Sequence, residues 1–235
     1  SNGIQIEYET FGEPALPALL LIIGLGGQLT GWDEKLCRQL AQQGHHVIRF
    51  DNRDSGLSSK IDKAGVPDIL QTIQRQMKGE TINPPYTIGD MAADAMGLLD
   101  ALNIEKAHIC GMSMGGMIAQ TIALNYPERA LSLISIYSRT GDPEEPQSKP
   151  EAMEFLLTPP PEERESCIEF RVKLFNTISG PGFPYDQEWL RKHVAQSYDR
   201  SFCPQGATRQ LVAILAQKNR KPALASLSTP ALVIH

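Results

Sequence analysis

Short apolar runs alternate with amphipathic stretches along the amino-terminal part of the chain. Ala18–Ile23 is a continuous apolar run, which suits a strand that is buried on both faces of a sheet. His46–Phe50 and Leu131–Tyr137 are further strand candidates, whereas Ile88–Leu102 has apolar residues at helical spacing behind Thr87, a favourable N-cap residue. Strands that alternate with helices predict an α/β fold, in which a mostly parallel sheet has helices on both faces.

The pattern changes after Ser138, where proline and charged residues become more frequent. No convincing strand interrupts residues 139–225. The helical segments of this stretch lie near Pro150–Leu157, Pro161–Thr177, Asp186–Ser197 and Ala207–Ala216. The apolar run Ala231–Ile234 then has the character of a sheet strand. We therefore predict a core over residues 1–138, an inserted helical lid over 139–225, and a return to the core over 226–235.

The charge balance and the cysteines narrow the function classes. With 22 Lys and Arg against 27 Asp and Glu, the net charge is −5, and no basic block is present. This argues against nucleic acid and an anionic membrane as partners. The four cysteines are scattered without a C-x-x-C pair, so we expect no metal and no cofactor, and we predict a reduced, cytoplasmic protein. The oligomeric state stays open.

A G-x-S-x-G motif carries the clearest chemical signal in the chain. Gly111-Met112-Ser113-Met114-Gly115 follows the apolar run Ala107–Cys110 and precedes a helical stretch, Met114–Asn125. A strand, a tight turn with a central serine and then a helix are the context of a nucleophile elbow. Such a turn is strained and crowded, so only very small residues fit on either side of the serine. We therefore predict that Ser113 is a catalytic nucleophile.

A serine nucleophile needs two N–H donors for the oxyanion that forms when it attacks a carbonyl group. The backbone N–H of Met114, which follows the nucleophile, is the first candidate. The second is expected in the loop after the first buried strand, Gly24-Leu25-Gly26-Gly27. We choose Leu25, because its flanking glycines leave the backbone free to turn this N–H towards the site.

The partners of the nucleophile are harder to find. We assign structural roles to the histidines at positions 45, 46, 108, 193 and 235, because each is in a strand, beside one, or in the predicted lid. Asp142 follows the strand after the elbow and is a weak alternative for the acid. The charged turn Asp51, Arg53 and Asp54 is expected to form a structural hydrogen-bond network.

At this point the chain resembles α/β-hydrolase-fold enzymes, and in particular their aclacinomycin methylesterase-like branch. The elbow carries this resemblance together with the turn Asp51–Ser58, which is similar to the family's D-x-R-G-x-G-x-S turn with Asp54 in place of the first glycine. Further matches are Gly24–Gly27, Gly31-Trp32 and Thr229–His235. The resemblance implies that the triad acid and histidine lie in a segment beyond His235. We therefore expect the native chain to be longer, at both ends, and these residues alone to be inactive.

We predict a serine hydrolase of a carboxylic ester, small and hydrophobic, that works through an acyl-enzyme on Ser113. One alternative is a non-catalytic small-molecule receptor or interaction protein with the same fold. Another is a proline iminopeptidase-like aminopeptidase, which would need acidic lid residues for a substrate amino group. Candidates for that role are Glu162, Glu163, Glu165 and Glu169, although their pattern is that of a solvated helix face.

Overall fold

The structure is a computed structural model, which describes residues 2–146, 148–180, 182 and 186–235. Position 1 and, within the predicted lid region, positions 147, 181 and 183–185 lie outside the described residues. The strands are β1 (Tyr8–Phe11), β2 (Ala18–Ile22), β3 (His46–Phe50), β4 (Ala107–Met112), β5 (Ala130–Ile136) and β6 (Ala231–Ile234). The helices are α1 (Glu34–Gln42), α2 (Ile69–Met77), α3 (Ile88–Ala101), α4 (Met114–Asn125), α5 (Pro150–Leu157), α6 (Arg164–Ile178), α7 (Gln187–Arg200), α8 (Pro204–Leu215) and α9 (Lys221–Leu224), with 3-10 turns at Leu29–Gly31, Asp62–Ala64 and Pro127–Arg129.

The strands form one sheet in the order β1-β3-β2-β4-β5-β6. Only the β1–β3 pair is antiparallel among the described strands, so the prediction of a mostly parallel sheet is confirmed. Ile22 lies in register with Phe50 on one side and with Gly111 on the other, so β2, β3 and β4 end at the same level. The loops that follow these strands therefore meet at one edge of the sheet, where α/β proteins place their sites.

The sheet is buried because helices cover both of its faces. All five residues of β2 are buried, and they alternate between the two faces as a strand requires. Leu20 and Ile22 belong to the core cluster under α3 and α4, whereas Leu19 and Leu21 pack with Trp32 and with Cys37 of α1. The predicted central strand, buried on both faces, is thereby confirmed.

The two ends of the sheet differ from its centre. At one end, β1 pairs with β3 over the four residues Tyr8–Phe11. At the other, β6 pairs with β5 and is exposed along its whole length, with Val233 at 73% relative accessibility. Edge strands of this kind present unpaired backbone groups as well as apolar side chains to their surroundings.

The chain divides into two compact units. The first comprises residues 1–145 and 205–235 and contains the sheet, and the second comprises residues 146–204. In the second unit α6 and α7 pack around Ile168, Leu190 and Val194. Residues 205–225, which the sequence pattern assigns to the predicted lid 139–225, cluster instead with the sheet. The physical reason is α8, which buries Arg209 and Gln210 against the loops of the first unit.

Candidate active site

Ser113 stands at the junction between β4 and α4, where the chain turns sharply. Its backbone angles, φ 52° and ψ −121°, lie in the positive-φ region that residues other than glycine rarely adopt. The Ser113 N–H donates to the Ile136 carbonyl oxygen at 2.9 Å, and the Ser113 carbonyl accepts from the Ser138 hydroxyl at 2.7 Å. The end of β5 and the loop after it therefore hold the strained turn in place.

The glycines on both sides of Ser113 are required by close approach of the backbone. A Cβ atom on Gly115 would overlap the Ile22 carbonyl oxygen, and one on Gly111 would overlap the Gly115 carbonyl. Neither obstacle is a flexible side chain, so the chain cannot relieve the overlap without moving β2 or α4. This crowding is the spatial reason for the small residues in the motif.

The glycine loop after β2 lies directly against the serine. A Cβ atom on Gly24 would stand 3.2 Å from the Ser113 Cβ and 3.7 Å from its Oγ. The Gly24 carbonyl accepts from the Gly27 N–H at 3.1 Å. Because C=O and N–H point in opposite directions in a trans peptide, the Leu25 N–H, which shares this peptide with the Gly24 carbonyl, points away from the turn.

The N–H groups of Leu25 and Met114 are both available as hydrogen-bond donors. Neither donates a hydrogen bond to another group in the described part of the chain, whereas the N–H groups of Gly26 and Gly27 are engaged. Met114 is the first residue of α4, and a helix has no acceptor of its own for its first N–H groups. The helix end also carries a partial positive charge. Both N–H groups are therefore available as donors, which is what the predicted oxyanion role requires of them.

The turn after β3 supports this loop through buried hydrogen bonds. The Asp51 carboxylate is fully buried and accepts from the N–H groups of Leu29, at 2.6 Å, and Leu57, at 2.8 Å. The Asn52 side chain donates to the Ile23 carbonyl at 3.1 Å. These contacts tie the turn to the two ends of the segment that holds Gly24–Gly27, so the loop is fixed at both of its ends.

Two buried arginine–carboxylate pairs complete the network. Arg53 donates to Asp94 through two nitrogens, at 2.5 and 2.8 Å, and its guanidinium lies 4.9 Å from the Tyr86 ring centre. Asp54 receives two hydrogen bonds from Arg209 and a third from the Tyr86 hydroxyl at 2.7 Å. Burial raises the pKa of Tyr86, with the Asp54 charge adding to the effect, while the hydrogen bonds to Asp54 raise the pKa of Arg209. The phenol and the guanidinium therefore stay protonated.

His45, His46 and His108 lie far from the serine. His46 begins β3 and His108 lies near the start of β4, so both are at the amino ends of parallel strands, roughly 16 to 20 Å from Ser113 along the strand direction. His45 packs edge-on against His108, whose Nδ1 lies 2.8 Å from the Ser132 hydroxyl. Within residues 2–145 and 205–235 no histidine hydrogen-bonds Ser113. In the other unit, His193 stacks on Trp189.

Asp142, the alternative acid, is engaged in an ion pair. Its Oδ2 lies 2.5 Å from the Lys221 Nζ, and its Oδ1 accepts from the Glu144 N–H at 3.2 Å. The hydrogen bond from Lys221 is the main cause that lowers the pKa of this carboxyl. Both oxygens therefore have partners other than a histidine.

The described residues contain neither a cluster of metal-ligating side chains nor a helix that could span a membrane. Among the described residues, no three His, Cys, Asp or Glu side chains are grouped so that they could hold a metal ion. None of the helices in the described ranges combines the length and the apolar character that crossing a membrane demands.

Known proteins are similar to this chain in sequence and in architecture. Rhodomycin D methylesterase DnrP of Streptomyces peucetius is 30% identical over 211 residues, which cover 82% of this chain and 65% of DnrP. DauP, the rhodomycin D methylesterase of Streptomyces sp. (strain C5), is 32% identical over 210 residues, which cover 81% of this chain and 64% of DauP. The matched region therefore spans less than two thirds of each methylesterase.

The architecture is shared with an enol-lactonase from Burkholderia xenovorans LB400. Its solved structure superposes with a TM-score of 0.71 at 21% sequence identity, covering 99% of this chain and 78% of the enol-lactonase chain. The sequence also matches the alpha/beta hydrolase fold family over residues 17–235. Together with the parallel sheet and the serine turn at its carboxyl edge, this match shows that the chain belongs to the alpha/beta hydrolase fold family.

Proposed function

We propose that this protein is a serine hydrolase that cleaves a small, hydrophobic carboxylic ester through an acyl-enzyme on Ser113. One observation carries the proposal. The hydroxyl-bearing turn is held at positive φ close to the glycine loop, where a Cβ atom on Gly24 would stand 3.2 Å from the Ser113 Cβ, and the N–H groups of Leu25 and Met114 donate to no group in the described part of the chain. Strain at a non-glycine residue is costly and persists where function requires the geometry.

In this mechanism the Ser113 Oγ attacks the ester carbonyl carbon while a histidine takes the hydroxyl proton. The N–H groups of Leu25 and Met114 donate to the resulting oxyanion. Collapse of the tetrahedral intermediate breaks the bond to the alcohol, which leaves with the proton from the histidine. Water then attacks the acyl-enzyme through a second oxyanion, its proton passing to the histidine and on to Ser113.

The choice of an ester follows from the relatives. The two methylesterases, at 30% and 32% identity, are named for ester hydrolysis. The four cysteines are free thiols, which supports a reducing compartment such as the cytoplasm.

Three of the four acidic residues named for the aminopeptidase alternative have other partners. Glu163 caps α6 by accepting from the N–H groups of Glu165 and Ser166. Glu165 and Glu169 both pair with Arg191, at 2.7 and 2.5 Å. Carboxylates with partners of this kind are poor candidates for binding a substrate amino group, so these contacts favour the esterase.

The test is intact-protein mass spectrometry of the full-length protein before and after a fluorophosphonate probe. We expect one adduct, mapped to Ser113, together with turnover of p-nitrophenyl esters of short acyl chains. Ser113→Ala should take no probe and show no turnover, whereas Ser59→Ala, a serine that hydrogen-bonds the Gln5 N–H, should behave like the wild type. A folded full-length protein that takes no probe would favour the non-catalytic receptor instead.

A further inference from the structure

We propose that Gln210 is a positioning residue that fixes the oxyanion loop, an inference that rests on the proposed function. Gln210 lies in α8 and is fully buried. Its Oε1 accepts from the Gly26 N–H at 2.8 Å, and its Nε2 donates to the Arg53 carbonyl at 2.7 Å. One amide thus joins the loop after β2 to the turn after β3. A polar side chain with both ends engaged in this way sets the distance and orientation between two loops.

The contact matters because of which peptide it holds. The peptide on the amino side of Leu25 is fixed through its Gly24 carbonyl, which accepts from the Gly27 N–H. The peptide on the carboxyl side of Leu25 is fixed through the Gly26 N–H, which donates to Gln210. With both flanking peptide planes held, the φ and ψ of Leu25 are held as well. The Leu25 N–H is then preorganised rather than free to rotate.

The helix that presents Gln210 is itself firmly anchored. Arg209, the residue before Gln210 in this helix, is fully buried and forms the two-point pair with Asp54. One turn earlier, Gly206 approaches the Asp54 carbonyl so closely that a Cβ atom would overlap it. A Cβ atom on Gly26 would stand 3.3 Å from the Ala207 Cβ, so the loop itself packs on α8. Side chains on rigid elements position a site more accurately than those on loops.

The chemistry of the bridge explains why it is an amide. The bridge must accept from one backbone N–H and donate to one backbone carbonyl, and a neutral amide does both. A carboxylate has no proton to donate, and at a buried position it would be desolvated without a cation beside it. A protonated carboxylic acid, however, again offers one donor and one acceptor. This difference gives the bridge a pH signature that can be measured in a variant.

The experiment uses the full-length protein and measures kcat and KM for a p-nitrophenyl ester, with kcat expressed per Ser113 site titrated by the fluorophosphonate. Removal of an oxyanion donor costs about 10²–10³ in kcat, and we expect a loosened donor in Gln210→Met to cost about tenfold, with KM nearly unchanged. Gln205→Met, an exposed glutamine of the same helix, is the matched control and should match the wild type.

Gln210→Glu provides the second readout. Its kcat relative to that of the wild type should rise as the pH falls from about 8 to about 6, because protonation restores the donor. A purely structural role would change the number of titrated sites and leave kcat per site unchanged. The inference is overturned if Gln210→Met keeps the wild-type kcat per site, or, should that variant fail to fold, if the Gln210→Glu ratio is flat with pH. A wild-type protein that neither labels nor turns over esters overturns the proposed function itself, and this inference with it.

Discussion

Arg209 holds the carboxylate of Asp54 in a two-point fork, with Nε 2.8 Å from Oδ2 and a terminal nitrogen 2.7 Å from Oδ1. The two side chains are 1% and 0% exposed. Asp54 has φ 66°, a conformation that favours glycine, and the family's turn has a glycine at this position. The fork, with the hydrogen bonds from Tyr86 and from the Ile61 N–H, offsets that backbone strain and accounts for an acidic residue in a glycine position.

Breaking this fork from either side should be costly. We expect Arg209→Met and Asp54→Asn each to lower the free energy of unfolding by about 3–5 kcal/mol, because each leaves a buried group without its partner. In the double variant the loss should be well below the sum of the two single losses, since the two residues share one interaction. Urea unfolding of the full-length proteins, monitored by circular dichroism, measures these values.

The chain offers a matched control for that cycle. Arg164 and Asp199 form the same kind of fork, at 2.8 and 2.7 Å, but their side chains are 42% and 54% exposed. Because exposed pairs are hydrated and screened, Arg164→Met should leave the urea midpoint close to that of the wild type. Equal losses for Arg164→Met and Arg209→Met would contradict the structural account, since burial would then have no bearing on the value of the pair.

A methyl group at Gly115 should be enough to destabilise the first unit, which contains the sheet. The added Cβ would overlap the Ile22 carbonyl, a backbone atom of the central strand. We expect Gly115→Ala to lower the free energy of unfolding by about 3 kcal/mol or more, or to prevent folding, because β2 or α4 must move. Gly180→Ala, at a glycine with open space around it, should retain the wild-type urea midpoint. Equal midpoints for the two variants would mean that β2 and α4 are further apart than described.

His108 should make stability depend on pH. Burial lowers its pKa from the ordinary value of 6.5, and the neighbouring His45 lowers it further. Between the two values the unfolded chain binds more protons than the folded one, so the free energy of unfolding rises with pH there. The contribution is complete above pH 6.5 and is lost as the pH falls towards the lower, folded-state value.

This dependence can be isolated with His108→Gln. We expect urea midpoints measured from about pH 7.5 down to about pH 5 to fall less steeply for His108→Gln than for the wild type, because glutamine does not titrate in this range. The comparison of slopes removes the contribution of all other titrating groups that the two proteins share. Parallel curves would show that His108 binds its proton equally well in the folded and unfolded states.

The local pattern predicted several elements closely. The strands His46–Phe50 and Ala231–Ile234 and the helix Pro150–Leu157 have the predicted bounds. Thr87 caps α3 as expected, its side chain accepting from the Asp90 N–H. These features depend on spacing and capping within a few residues, which the sequence displays directly.

The local features of this protein can be predicted from its sequence: the alternation of strands and helices, the serine between two glycines, and a charged turn. The hydrogen-bond partners of these residues, in contrast, are visible only in the folded structure. Asp94 is 41 residues from Arg53, and Gln210 is 184 residues from Gly26. Such pairs leave no periodic signal along the chain, because which side chains meet depends on how the helices pack on the sheet. The sequence therefore placed the serine, whereas the packing of α8 selected the residues that brace the loop beside it.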